Sequence, residues 1–196
     1  MKRLALCLFA LLPLAGCGSV PFARELEDTM LVQVLGVDWT SEGVTLTAAS
    51  DPGEGSGEES PVLSVSGKNL EEAQAALKGA GEEYVSLTHV AQLVVGADSD
   101  LPAVLEAALE EPALGQGATV WLALDGTAKD LMEGAGGGAK RLSSIELNAG
   151  LKPVTVLQSL MRLEEDGRVE LPALTLEGEA LAPSGSKLIW GETHGT

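Results

Sequence analysis

Few side chains in this chain of 196 residues could carry out catalysis or bind a metal. The chain has two cysteines, Cys7 and Cys17, and two histidines, His89 and His194. Two histidines without supporting carboxylates do not make a zinc site, so we expect no metal and no other cofactor. His89 opens a predicted buried strand, and we interpret it as a structural residue whose ring nitrogens bond to nearby backbone.

Several other segments resemble catalytic or binding motifs only in part. Asp38 ends a predicted strand and could act as a base, but a turn-capping role is the better interpretation. Residues 134–141, GAGGGAKR, lack the Gly-Lys-Ser/Thr of a phosphate loop and fit a flexible linker. Ser143 and Ser144 lack the glycines of a nucleophile elbow. The acidic residues 51–59 lack the spacing of a calcium-binding hand and indicate a solvated loop. The sequence therefore predicts a protein that is not an enzyme.

The chemistry that the sequence does predict is a modification at Cys17. Met1 to Arg3 is basic, residues 4–14 are mostly apolar, and small residues lead to Cys17. This is the pattern of an export signal, and the apolar run is too short to span a bilayer as a helix. Residues 14–17, LAGC, resemble the lipobox of bacterial lipoproteins, which implies cleavage before Cys17 and acylation there. Two or more acyl chains hold a protein stably on a bilayer. The alternative is an ordinary secreted protein with an incidental cysteine.

Composition excludes several other classes of protein. The formal net charge of −17 repels phosphate backbones, so we expect no nucleic-acid partner. It also opposes adsorption to anionic lipid, which leaves the acyl chains as the membrane contact. Apolar residues make up 45% of the chain and aromatic residues only 3%, which predicts a folded domain with a core of Leu, Val and Ala.

The apolar periodicity predicts strands that alternate with helices. Strands are expected at residues 30–39, with Gly36 as a possible bulge, and at 44–48, 62–66, 90–95, 118–124, 170–177 and 187–190. Helices are expected after the N-caps Asn69 and Asp100, and at 127–133 and 153–164. This order predicts an α+β (mixed α/β) fold with a central, mostly antiparallel or mixed sheet and helices packed against it. We expect a signal peptide at 1–16, a stem at 17–29 and a single domain at 30–192.

Five segments in this order resemble the N-terminal part of the Ger(x)C lipoproteins, the C subunits of bacterial spore germinant receptors. They are REL at 24–26, LGVD at 35–38, SGKNLEEA at 66–73, HVAQLVVG at 89–96 and AKDLME at 128–133. The family-motif residues matched in these segments, which we expect to be structural, are Arg24, Glu25, Gly36, Asp38, Gly67, Glu72, His89, Gly96 and Asp130. Gly18 to Pro21 replaces the Trp-Asp pair that usually follows the acylated cysteine, and the C-terminal domains of the family are not expected here. The sequence thus resembles a short, divergent member.

The resemblance implies a non-enzymatic lipoprotein on the outer face of the cytoplasmic membrane, which is the inner membrane of the spore. It further implies integral membrane partners, the A and B type receptor subunits, in nutrient-triggered germination. The resemblance supplies no catalytic residues. Two alternatives remain open from the residues alone: a solute-binding or accessory envelope lipoprotein, and an envelope hydrolase. No arrangement of nucleophile and base supports the hydrolase.

Overall fold

The structure is a computed structural model that describes residues 29–50, 61–80, 84–111, 116–148 and 151–191. The strands are β1 (Thr29–Leu31), β2 (Val34–Thr40), β3 (Gly43–Ala49), β4 (Val62–Gly67), β5 (Tyr84–Ser86), β6 (Gln92–Val95), β7 (Thr119–Ala123), β8 (Arg168–Glu177) and β9 (Ala180–Trp190). The helices are α1 (Leu70–Gly79), α2 (Leu101–Glu110), α3 (Ala128–Gly134), α4 (Ala139–Asn148) and α5 (Val156–Asp166). The predicted alternation of strands and helices is confirmed.

A seven-stranded mixed sheet forms the centre, in the order β4-β3-β2-β6-β7-β8-β9. The four middle strands, β2, β6, β7 and β8, run parallel, and β3, β4 and β9 are antiparallel to their neighbours. β1 and β5 form a separate parallel pair. The α+β class with a mixed sheet is therefore confirmed.

Helices cover both faces of the sheet, because side chains of the central strands alternate between two hydrophobic clusters. In β6, Leu93 and Val95 belong to one cluster, and Val94 between them belongs to the other. Helices α1, α2 and α5 pack on the first face, and α3 and α4 pack on the second. The middle strands consequently contain long apolar runs, as expected for strands buried on both sides.

Local capping chemistry sets the helix boundaries. Asn69 and Asp100 accept hydrogen bonds from Glu72 N and Ala103 N, as the sequence predicted. Thr155 forms a capping box with Gln158, which starts α5 at residue 156 rather than near residue 153.

The expected strand at residues 30–39 is divided. β1 pairs with β5, and the backbone then crosses at Val32 and Gln33 before β2 joins the main sheet. The N–H of Val32 donates to Ser86 O, whereas the N–H of Gln33 donates to Ala49 O. Gly36 is not a bulge, because the β2–β3 register is continuous through it.

The glycine-rich segment is a turn between two helices rather than a linker. Gly134 belongs to α3, and Gly136, Gly137 and Gly138 all have positive φ angles. Because glycine adopts this conformation without steric cost, the chain reverses sharply into α4, a helix that the sequence analysis did not predict. The N–H of Leu142 in α4 donates to Gly138 O.

Candidate functional site

Asp38, near the end of β2, joins the central sheet to the start of α3. Its Oδ1 accepts a hydrogen bond from Ala128 N at 2.7 Å, and its Oδ2 accepts one from Lys129 N at 3.0 Å. These are two of the N–H groups that have no partner within a helix. Asp38 therefore caps a helix 90 positions away in sequence, rather than the local turn that we expected.

Gly96, directly after β6, leaves the space that the Asp38 carboxylate occupies. A Cβ atom at position 96 would overlap Oδ1 of Asp38 and lie 3.1 Å from Oγ of Ser99. Ser99 accepts a hydrogen bond from Trp39 N at 3.0 Å and donates one to Val37 O at 3.3 Å. The loop after β6 thus wraps around the end of β2, and a side chain at position 96 would separate them.

Gly36 lies two residues before Asp38 on β2, beneath α3. A Cβ atom there would lie 2.6 Å from Sδ of Met132 and 3.3 Å from Cβ of both Ala128 and Thr47. The helix can approach the sheet this closely because position 36 has no side chain. Gly36, Asp38 and Gly96, predicted from two separate segments, therefore meet at one place with α3.

Helix α3 is fixed further by its own polar residues. Thr127 is its N-cap and accepts from Asp130 N at 2.9 Å. Asp130, a predicted motif residue, lies in the first turn, where a negative charge is favourable to the helix dipole. Oε1 of Glu133 accepts from Ser64 Oγ at 2.7 Å, which ties the end of the helix to β4. Within AKDLME, the buried Ala128, Leu131 and Met132 and the Glu133–Ser64 hydrogen bond hold α3 on the sheet.

The contacts among β2, the loop after β6 and α3 form a first junction. Its electrostatics favour a structural role for Asp38. Burial raises the pKa of its carboxyl, the backbone hydrogen bonds from Ala128 and Lys129 lower it, and Asp130 raises it further, with a net rise. Both carboxylate oxygens already have backbone donors, so neither is poised to take a proton from a substrate. Among the described residues, no group of three or more His, Cys, Asp and Glu side chains could hold a metal ion.

Gly67 and Glu72 form a second junction, between β4 and α1. A Cβ atom at Gly67 would overlap Ala73 N and lie 2.8 Å from the backbone carbon of Glu72. The side chain of Glu72 accepts from Lys68 N at 3.1 Å, while its N–H donates to Asn69. This reciprocal pair resembles a capping box shifted by one residue, and it explains the SGKNLEEA spacing in local structural terms.

His89 does not open a strand, because β6 begins only at Gln92. It is an exposed residue of a turn, and its Nδ1 lies 3.0 Å from Oγ1 of Thr88 rather than bonding to backbone. The fold brings it to neither junction. Cys17, Arg24 and Glu25 lie outside the described residues.

A buried polar network that the sequence did not predict lies beneath α4. Gln92 accepts a hydrogen bond from Trp121 Nε1 at 2.6 Å and donates to Glu146 Oε2 at 2.8 Å. Thr119 donates to the other oxygen of Glu146 at 2.7 Å. Gln92, Thr119 and Trp121 are buried. The polar Gln92 at the start of the apolar strand QLVV could have indicated this network, since a buried amide requires hydrogen-bond partners.

The chain matches a known protein family over most of its length. The family described as "Spore germination protein N-terminal domain" matches residues 23–176, which include both junctions. No curated protein and no solved structure matches the chain significantly. Within the described ranges, no helix combines the length and apolar character needed to cross a bilayer.

Proposed function

The chain belongs to the spore germination protein N-terminal domain family, and from that membership we propose that it is a non-enzymatic, lipid-anchored C-type subunit of a spore germinant receptor. The family match over residues 23–176 is the observation that carries the proposal, and it supports a role in spore germination. The structure adds that four of the motif residues, from three segments, lie together at α3.

The geometry favours a scaffold over a catalyst. The motif residues Gly36, Asp38 and Gly96 are engaged in close packing or in capping α3, and Asp130 donates its backbone N–H to the N-cap Thr127. A subunit that binds neighbouring membrane proteins needs a rigid domain of this kind rather than a reactive side chain. The protein would therefore act through its surface, as part of a complex with integral membrane subunits of the A and B types.

The anchor in this proposal is the acylated Cys17. The LAGC sequence follows an apolar run behind a basic start, and the acidic chain has no electrostatic attraction to anionic lipid. Acyl chains on Cys17 would hold the domain at the outer face of the cytoplasmic membrane, and hence on the inner membrane of the spore.

Deletion of the gene in a spore-forming host tests this function. Spores without the protein should lose the response to at least one nutrient, while a trigger that bypasses the nutrient receptors should still germinate them. Re-expression of the full chain should restore the response. Normal responses to every nutrient tested, with the protein present in wild-type spores, would overturn the proposal.

A further inference from the structure

A long groove lies between α2 and α5 on the first face of the sheet, with a volume of about 1020 Å³. Apolar side chains form its floor, among them Leu160, Leu163 and Ile189. It extends from the loop after β6 to the end of β9, where Trp190 lines it. Because the groove lies between two helices and is open to solvent along apolar side chains, it can accept an extended or helical peptide segment.

The rim of the groove is negative. Glu106 from α2 and the run Glu164, Glu165 and Asp166 from α5 line it, and no Lys or Arg does. These four carboxylates have no hydrogen-bond or ion-pair partner within the described part of the chain. The surface therefore carries a concentrated negative potential directly above apolar side chains.

The position of the acidic run on α5 is itself unfavourable to the fold. Glu164, Glu165 and Asp166 occupy the last turn, where the helix dipole is negative and where the helix has no basic residue. Negative charges at a helix C-terminus are destabilising, because they face the negative end of the dipole and repel one another. A bound cation at this place would offset that cost.

Trp190 adds an exposed aromatic side chain at one end of the groove. It is 65% exposed, and its ring lies 5.6 Å from the guanidinium carbon of Arg168. Exposed tryptophan is enriched at sites of protein association, because it buries a large area at low entropic cost. The same ring that contacts Arg168 can accept a second cation on its face.

We propose that the groove between α2 and α5 binds a basic, amphipathic segment of a partner protein, with apolar residues on the floor and Lys or Arg at the rim. Charge complementarity selects this occupant over an anionic lipid headgroup or a nucleic acid, which the rim repels. It also selects against a second copy of this chain, whose net charge is −17. The proposal does not depend on the role in germination.

The test uses the purified full chain and two fluorescent synthetic peptides. One has Leu and Lys at the spacing of an amphipathic helix, and the other has Glu in place of each Lys. At an ionic strength of about 0.1 M, where surface charges are partly screened, the Lys peptide should bind and the Glu peptide should not. Anisotropy gives the affinity, and the tryptophan emission, to which the exposed Trp190 contributes, should shift to shorter wavelength as that residue is covered.

The variant Glu164→Lys/Glu165→Lys should weaken binding of the Lys peptide at least about tenfold. Because it places cations at the end of α5, it should not destabilise the fold, so unfolding would not explain a loss of binding. The matched control is Glu110→Lys/Glu179→Lys, which makes the same change in net charge at exposed positions outside the groove. The control should bind within about twofold of the wild type.

Three results would overturn the proposal. Equal losses in both double variants would mean that the peptide responds only to net charge. Equal binding of the Glu peptide would mean non-specific apolar adhesion. Sedimentation as a dimer that Trp190→Ala dissociates would assign the groove to a second copy. The two proposals fail separately. If the purified chain binds the Lys peptide but spores that lack the protein germinate normally, the groove proposal stands and the proposed function is contradicted.

Discussion

The Asp38 carboxylate fills the space beside Gly96 at the ends of two neighbouring parallel strands, so a Cβ atom on the glycine would overlap a carboxylate oxygen of the aspartate. The carboxylate can cap α3 only because position 96 has no side chain. The cap of α3, the end of β2 and the loop after β6 therefore contact one another. Substitutions in any two of them should have non-additive effects on stability.

The variant Gly96→Ala should destabilise the protein by about 2–3 kcal/mol, because the new methyl group displaces the carboxylate and frees two N–H groups of α3. Urea unfolding followed by circular dichroism measures this loss. Gly79→Ala is the control, since a Cβ there meets nothing within 4 Å at the end of α1. A loss at position 96 no larger than the change at position 79 would contradict the close contact.

The variant Gly36→Ala should destabilise the protein by about 1–2 kcal/mol, because its Cβ would press on α3. Met132 is the closest neighbour, with its sulfur 2.6 Å from the added atom. Met132→Ala alone should also be destabilising, since it leaves a cavity. The double variant should be more stable than the sum of the two losses predicts, and unfolding free energies in a double-mutant cycle measure this coupling. Strict additivity would show that α3 does not contact position 36.

Local signals were sufficient for most elements of the fold. Asn69 and Asp100 precede apolar periodic runs, and their side chains bond to N–H groups only three residues away. Such contacts can be recognised from spacing alone, because the partner is fixed by the geometry of the first helical turn. Most strands of the main sheet followed from apolar runs and turn signals, but β5, residues 180–186 of β9 and the division of residues 30–39 into β1 and β2 were not predicted.

Long-range contacts could not be predicted from the sequence. Asp38 was interpreted as a turn cap because its partners, Ala128 and Lys129, lie about 90 positions further along the chain. The role of Gly36 likewise depends on a helix that crosses above it rather than on its own strand. Helix α4 was missed because the positive φ angles of Gly136 to Gly138 turn a glycine run into a tight connection.

The variant Asp38→Asn should change the pH dependence of stability. Because the pKa of Asp38 is raised, mainly by burial, the folded state binds this proton more tightly than the unfolded chain does. The stability that Asp38 contributes is then greatest below its unfolded pKa of about 3.9 and falls as the pH rises through the folded pKa. The free energy of unfolding of the wild type minus that of the variant should therefore decrease with rising pH.

Denaturant titrations of both proteins from acidic to neutral pH give this difference, and Asp38→Ala provides a second comparison. Alanine leaves the N–H groups of Ala128 and Lys129 without their acceptor, so it should cost about 1–3 kcal/mol. Asparagine retains one acceptor and should be less harmful. A wild-type advantage over Asp38→Asn that grows with pH would contradict a raised pKa.

The variant Glu146→Ala should destabilise the protein by about 2–3 kcal/mol, because the buried side chains of Gln92 and Thr119 each lose an acceptor. Gln92 also accepts from Trp121, so its displacement should alter the emission of that buried tryptophan. Fluorescence-monitored unfolding measures both effects. Glu179→Ala, at an exposed turn position, is the control and should be neutral. Unchanged stability and emission in Glu146→Ala would show that the network does not form.

The variant Cys17→Ser should release the protein from membranes in the living cell. Serine cannot carry the thioether-linked lipid, and the acidic chain has no electrostatic attraction to anionic lipid that would replace it. Fractionation should move the protein from the membrane pellet to the soluble or secreted fraction, and mass spectrometry of the wild type should find an acylated N-terminal Cys17. Cys7→Ser is the matched control, because it removes the other cysteine from within the apolar run and should leave the distribution unchanged. Persistence of the Cys17→Ser protein in the membrane fraction, at the level of that control, would contradict anchoring at this residue.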